Sequence, residues 1–410
     1  MGASPRPAEA GDETWARYRR ALDGKPLPAA LVDLDALDEN LERLLAPIRA
    51  AGKKLRVATK SIRCPAVERY VAERAGDAYG GVMTYAAAES AWLAAEGARD
   101  LLLAYPTAQP SDLALLAEAN RAARCAAMID CAEHADALDR AAAAAGTRVP
   151  IVIEVDLAYR PLGLGHLGVR RSPLRTAADV VALAERCGKL PHLRFLGVMG
   201  YEAQIAGLTD SGPFASWQNL PRRGMKRLSR RRVEDTRAEL VRALAERGLQ
   251  PELVNGGGTG SVDWSSAEAA LTEVTVGSGF LGGHLFDYYS GLKLRPALHF
   301  ALQVVRRPAP GLVACHGGGY IASGDGGPDR LPLPSLPPGC RLLAMEGAGE
   351  VQTPVRLPPG IEMRLGDPIF FRHAKSGELA EHFNEYHLIR GETIIQTAPT
   401  YRGLGRCFLG

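Results

Sequence analysis

The chain has 410 residues, 46% of them hydrophobic and 23% charged, with a formal net charge of +3. That length exceeds what one core normally supports and predicts two domains, and the apolar content excludes a disordered or fibrous chain. No apolar run reaches the roughly 18 residues of a membrane span, and residues 1–13 lack the basic-then-apolar order of a signal peptide, so a protein that neither crosses nor rides on a membrane is expected. The seven cysteines are scattered, with no C-x-x-C pair, which fits free thiols in a reducing, cytoplasmic setting. Basic residues cluster at 222–227 and 230–232, but no aromatics interleave with them. A solvated helix face or the rim of an anionic-substrate site is expected there, and no nucleic-acid partner.

After an N-terminal extension (1–26) with one amphipathic helix at 13–22, strands and helices alternate. Residues 28–34 read as a strand, and Asp35 opens a helix whose leucines 37, 41, 44 and 45 recur at helical spacing. Strands follow at 55–59, 81–84, 101–104, 126–129, 149–155, 193–199, 252–255 and 273–276, with helices at 65–75 and 87–96 among the connections. About eight or nine short apolar strands alternating with helices predict an α/β fold, a (β/α)8 TIM barrel over 27–290. A doubly wound sheet is the alternative, but the candidate chemical residues follow many different strands, whereas an open sheet gathers its site at one switch point. From 291 to 410 short strand-like runs such as 296–305 and 311–315, and a loop at 328–338 holding five prolines, predict a C-terminal, mostly antiparallel β domain.

Lys60 ends the second of these strands, where parallel α/β folds collect their chemistry. Partial burial near Arg56 and Arg63 would lower its pKa and leave a nucleophilic amine, so it is a candidate Schiff-base lysine. Late in the barrel, Asn255-Gly256-Gly257-Gly258-Thr259-Gly260-Ser261 and Val276-Gly277-Ser278-Gly279 follow successive strands. Such glycine turns let backbone N–H groups surround a phosphate, and Thr259 adds a hydroxyl donor. A lysine at the front of a barrel and a phosphate cup at its rear point to pyridoxal 5′-phosphate.

Residues 28–41 (PAALVDLDALDENL), the strand ending in Lys60, the run Gly197-Val198-Met199-Gly200-Tyr201-Glu202 and the loop at 256–260 occur in an order that resembles the fold-type III pyridoxal-phosphate enzymes. Within that group they are most similar to the branch containing D-threonine aldolase and eukaryotic-type D-serine dehydratase, over roughly 25–405. The resemblance implies a barrel carrying the cofactor on Lys60, a C-terminal β domain and a homodimer whose site borrows residues from the partner. Tyr201 resembles the family tyrosine beside the cofactor ring, and Arg160 the arginine near the ring hydroxyl. Three departures stand out. Ile62 replaces the histidine of Lys-Thr-His, Tyr401-Arg402-Gly403 stands where the branch has a metal-binding His-x-Asp or His-x-Cys, and Tyr201-Glu202-Ala203-Gln204 replaces Tyr-Glu-Gly-His. No metal ligand is assigned, and metal-assisted chemistry is in doubt.

Replacement groups are sought near the C-terminus, where His373, Lys375 and His382 are candidates for binding a substrate carboxylate or exchanging protons, and where the Tyr401-Arg402 pair offers a carboxylate partner. His316-Gly317-Gly318-Gly319-Tyr320 has the same positioned character. The leading expectation is a lyase that cleaves or deaminates a β-hydroxy amino acid of D configuration. A racemase or epimerase on the same fold, a non-catalytic cofactor carrier, and a barrel enzyme without pyridoxal phosphate are the alternatives.

Overall fold

The computed structural model describes residues 7–161, 165–212, 216–324 and 326–409. Helix α1 (Pro7–Ala21) and strand β1 (Ala29–Asp33) lead into α2 (Leu34–Ala50). The alternation then runs β2 (Lys54–Ala58), α3 (Pro65–Ala75), β3 (Tyr79–Thr84), α4 (Ala87–Ala95), β4 (Asp100–Leu103), α5 (Pro110–Ala119), β5 (Arg124–Ile129), α6 (Ala132–Ala145) and β6 (Val149–Glu154). It continues with α7 (Ala177–Cys187), β7 (Leu193–Met199), α8 (Ala203–Ala206), α9 (Asn219–Glu246), β8 (Leu253–Gly256), α10 (Val262–Ala267) and β9 (Glu273–Val276). Strands β2 to β9 close into a parallel barrel in sequence order, with β9 returning to β2.

Two compact units divide the chain. One holds Glu42–Lys60 and Tyr70–Gly277, hence the whole barrel; the other holds the chain up to Leu41, Ser61–Arg69 and Ser278–Cys407. Inside the barrel one layer is apolar, with Leu102, Ala126, Met128, Val152, Leu196, Met199 and Leu253 packed together. Another is ionic. Arg56, 1% exposed, donates to both carboxylate oxygens of Glu273 (Nη2–Oε2 2.8 Å), to Asp100 at 3.2 Å and to the Val82 carbonyl at 3.1 Å. Asn255 donates to Glu273 from the neighbouring strand at 2.7 Å, so the buried guanidinium is matched by charge and hydrogen bonds. Gly81 (φ +112°) makes the space, because a Cβ there would stand 3.0 Å from the Arg56 guanidinium and 2.8 Å from Asp100.

The second unit is built on a nine-stranded, mostly antiparallel sheet. Its strands are β1, β10 (Leu298–Ala309), β11 (Leu312–His316), β12 (Leu333–Leu336), β13 (Arg341–Leu342), β14 (Gln352–Arg356), β15 (Pro368–Arg372), β16 (Glu385–Arg390) and β17 (Thr393–Pro399), with the short α11 (Ser376–Ala380) between β15 and β16. Strand β1, read in the sequence as opening the barrel rhythm, belongs here: it pairs antiparallel with β10 (Leu31 opposite His299) and parallel with β16 (Leu31 opposite His387). All five of its residues are buried, and a strand covered on both faces reads as a continuous apolar run in either kind of sheet. The proline-rich loop also contains structure, since β12 pairs with β15 as an edge strand, where Pro334 removes no needed ladder bond. Tyr18, Leu22, Leu31, Ala301, Phe370 and Ile389 form the core of this unit, and each large side chain so buried contributes about 1.5–3 kcal/mol. Asp33 closes β1 by accepting from the backbone N–H of Asp35 (3.0 Å), which starts α2, and from Tyr18 Oη (2.9 Å) and Arg17.

Candidate active site

At the C-terminal end of the barrel the loops after several strands bring polar side chains together. Lys60 follows β2 in a 3-10 turn, Thr59–Ser61, whose Thr59 hydroxyl donates to the Met83 carbonyl at 3.0 Å. Lys60 is exposed and its Nζ donates to Tyr105 Oη at 2.8 Å, 5.5 Å from the centre of that ring. Its expected partial burial among like charges is not found, since Arg56 is consumed by Glu273 and Asp100 inside the barrel, and Arg63 pairs with Glu381. Tyr105 comes two residues after β4. The Arg171 guanidinium lies over the Tyr105 ring at 5.6 Å and over the Tyr201 ring at 5.2 Å, so one cation joins the two phenols.

Tyr201 follows β7, and its environment is set by Glu202. Loss of water and the Glu202 carboxylate raise the Tyr201 phenol to about 12, against the pull of Arg171. Glu202 is fully buried and accepts from Arg237 and from Ser265 Oγ at 3.0 Å. Arg237, on α9, also bonds Glu268 and donates to the Gly200 carbonyl at 2.7 Å, which fixes the backbone next to Tyr201. The glycine turn lies against this tyrosine. A Cβ on Gly258 would stand 3.0 Å from Ala206 Cβ and 3.5 Å from the Tyr201 ring, and Gly257 adopts φ +83°. Thr259, buried, opens the 3-10 turn that follows. Gly277 is buried just past β9, while Ser278 and Gly279 continue the chain into the other unit.

Lys60, Tyr201, Gly257 and Gly258 are thus linked through side chains of the barrel unit. Arg160 is placed elsewhere. It is ion-paired with Asp156, contacts His166 Nδ1 at 3.1 Å, and lines a pocket of about 380 Å³ with Arg175, Arg232 and Thr236, so Arg171 holds the place over the phenol rings. Sequence reasoning missed Tyr105, Arg171 and Glu154. Glu154 ends β6, is buried, and lies 3.7 Å from Arg171; burial raises its carboxyl to about 7 although Arg171 opposes the shift. Reading every polar residue at a strand's C-terminal end would have found Tyr105 and Glu154. Arg171 lies far along the loop after β6 and carries no local signal. Replacing Arg171 by glutamine is expected to remove the cation from both phenols and push the Glu154 carboxyl higher. The acidic limb of the pH–rate profile should then move upward by about one pH unit with a fold that is unchanged by circular dichroism. A limb that stays put would separate Glu154 from the reaction.

The C-terminal candidates do not present themselves together. Tyr401 is fully buried, with its hydroxyl on Glu68 at 2.9 Å and its N–H on the Arg63 carbonyl at 2.8 Å. His382 is exposed and stacks on Tyr320, ring centres 4.5 Å apart, so the tyrosine of the His316–Tyr320 run has a packing role. Lys375 bonds the Ser323 carbonyl at 2.7 Å. His373 is 2% exposed and grouped with buried His284 and His299; its Nδ1 faces the Leu298 carbonyl at 3.2 Å. Burial pushes all three imidazoles down, His299 to about 3. A buried neutral histidine stabilises nothing extra above pH 6.5. As pH falls below 6.5 the unfolded chain takes up the proton and the folded one does not, so each costs about 1.4 kcal/mol per pH unit until its folded pKa is reached. Urea unfolding between pH 7 and 4 should show this loss, and His299→Phe should reduce its slope by one proton. An unaltered slope would assign the acid sensitivity to other groups.

Three comparisons bear on kinship. A D-threonine aldolase of Arthrobacter sp. is 26% identical over 336 residues, 80% of this chain and 79% of that protein. A 3-hydroxy-D-aspartate aldolase of Paracoccus denitrificans is 27% identical over 262 residues, 61% of this chain and 59% of that protein. Among solved structures, D-threonine aldolase from Filomicrobium marinum superposes with TM-score 0.78 at 23% identity, covering 92% of this chain and 95% of that one. D-threo-3-hydroxyaspartate dehydratase from Delftia sp. HT23 gives 0.74 at 19%, covering 92% and 98%. The closed barrel of β2 to β9 lies within the remaining finding, a match of residues 32–284 to the alanine racemase N-terminal domain family, to which the chain belongs.

Proposed function

We propose that this protein is a pyridoxal-phosphate-dependent lyase acting on a β-hydroxy D-amino acid, by aldol cleavage or by β-elimination with loss of ammonia. The observation that carries this reading is the Lys60–Tyr105–Arg171–Tyr201 cluster beside the Gly257–Gly258 turn, in a chain similar to D-threonine aldolase over four fifths of its length. The donor set suits the cofactor: an accessible primary amine for its aldehyde, a cation and two phenols for its ring, and a side-chain-free turn for its phosphate. Lys60 would hold it covalently, Tyr201 and Arg171 would border the ring, and Gly257, Gly258, Thr259 and Gly277 would surround the phosphate. When bound, pyridoxal phosphate supplies the electron sink that makes bond cleavage at the substrate α-carbon feasible.

The rest falls to the protein. Tyr105 accepts from Lys60 Nζ and so sets where the amine stands. With the cofactor bound, the Lys60 amine would serve as the base for the proton of the substrate hydroxyl or α-carbon. Glu154, poised near neutrality, exchanges a second proton, and Arg171 orients it. Buried Ile62 offers no proton, so it takes no part in this transfer. A homodimer in a reducing, cytoplasmic setting completes the reading, the setting resting on seven scattered cysteines with no Cys-x-x-Cys pair. No helix among the described residues is long and apolar enough to cross a membrane.

The deciding experiment is a panel of D- and L-amino acids, with and without chelator, scored for aldehyde, oxo acid, ammonia and racemised product. Glycine plus aldehyde identifies aldol cleavage, and oxo acid plus ammonia identifies elimination. Racemisation alone across the panel would overturn the lyase reading.

A further inference from the structure

Directly after β5, at the same C-terminal end of the barrel, a second group of side chains converges. Asp130, Cys131 and His134 place a carboxylate oxygen, a thiol sulfur and an imidazole nitrogen all within 4.8 Å of one another. Their positions follow from the backbone: β5 ends at Ile129, Cys131 is the extended residue before α6 (φ −151°), and His134 lies within the first turn of that helix. His134 Nδ1 stands at ion-pair distance, 3.0 Å, from Asp130 Oδ1, without the angle of a hydrogen bond. With the Cys131 sulfur in the same group, the three donor atoms are close enough together to share one ion. Bonds of roughly 2.0–2.3 Å to a tetrahedral centre leave such atoms about 3–4 Å apart.

We propose that Asp130, Cys131 and His134 form a divalent-cation site that prefers zinc-like ions. Thiolate, imidazole and carboxylate together select a borderline-soft transition metal over magnesium or calcium, which take oxygen ligands. Three protein ligands leave a fourth position open to water or to an oxygen of a bound molecule. On binding, the Cys131 S–H bond breaks, the sulfur electron pair goes to the cation, and the proton leaves to solvent. Strand β5 lies between β4, which precedes Tyr105, and β6, which ends in Glu154, so the open position belongs to the same rim of the barrel as the lysine. The proposal stands on these donors alone and does not depend on which lyase reaction the enzyme performs.

The test uses chelator-stripped full-length holoenzyme carrying Cys407→Ser. Cys407 is the exposed cysteine and the other five besides Cys131 are buried, so a thiolate signal in this background belongs to Cys131. Cobalt(II) titration is expected to give one bound ion per chain with tetrahedral visible bands to the red of any cofactor absorption, and zinc should displace it. Cys131→Ser and His134→Gln should each weaken binding by more than the 10–100-fold that loss of an outer partner costs. Zinc should also raise the unfolding midpoint of the parent protein, and circular dichroism checks that each variant is folded. Octahedral cobalt spectra, binding that survives Cys131→Ser, or no stoichiometric binding by the parent would each overturn the site. Should a variant fail to fold, Asp130→Asn and the zinc-dependent midpoint of the parent decide the matter.

Discussion

Lys60→Ala is expected to lower turnover by more than about 10³-fold and to leave the protein as stable as the parent. The two halves of this expectation have separate causes. Lys60 is exposed and donates to the Tyr105 hydroxyl beside the face of the same ring, so its removal opens no core cavity. The amine, by contrast, is not replaced by the neighbouring Arg171, because a guanidinium does not serve as a nucleophilic amine. Purified parent protein should carry a visible band that borohydride fixes to the peptide containing Lys60. The alanine variant should lose that band on dialysis while its urea midpoint stays put. Tyr105→Phe provides the contrast: the ring under Arg171 remains and only the acceptor for Lys60 is lost, so a smaller fall of about 10-fold is expected. A Lys60→Ala protein that keeps both its fixed colour and its turnover would sink the cofactor assignment.

The barrel was legible because each of its strands is a short apolar run ended by turn residues, and the eight found are those the periodicity marks out. Strand β1 was misplaced because periodicity reports burial and not partners; Ala29 to Asp33 is buried on both faces, as a barrel strand is, but its neighbours come from residues near 300 and 388. The same limit explains the site. Lys60 and the glycine turn lie where strands end and could be read locally, whereas Arg171 reaches Tyr105 and Tyr201 only through the folded loop. Arg160 and Arg171 belong to one connection after β6, and nothing in their spacing says which of them meets the phenols. The basic run on α9, expected as a solvated face or the rim of an anionic-substrate site, is exposed at Arg223, Arg227, Arg231 and Arg232, whereas Lys226 is buried against Asp210 at 3.2 Å and Arg230 lies over the Trp264 ring at 5.9 Å. Charge runs of this kind look solvated until the acidic partners, distant in sequence, are brought to them.

Arg237→Met is expected to cost about 3–5 kcal/mol of stability. Arg237 and Glu202 are nearly inaccessible and Glu268 is 6% exposed, so the arginine is the counter-charge of two buried carboxylates at once. Burial already raises the Glu268 carboxyl against the pull of Arg237. Without the guanidinium one carboxyl should keep its proton in the folded protein, giving it a folded pKa above its unfolded one. Stability gained from such a group is present at low pH and lost as pH rises, so the deficit of the variant should be smaller at pH 5 than at pH 8. Urea unfolding at both pH values measures this, and Glu202→Gln with Glu268→Gln in the Arg237→Met background should recover part of the loss, because neutral amides are cheaper to bury than unpaired charges. A deficit independent of pH would assign the loss to the Gly200 hydrogen bond and packing. Because that bond fixes the backbone beside Tyr201, the variant should lose turnover even where it remains folded, and Arg237 acts on the chemistry by positioning.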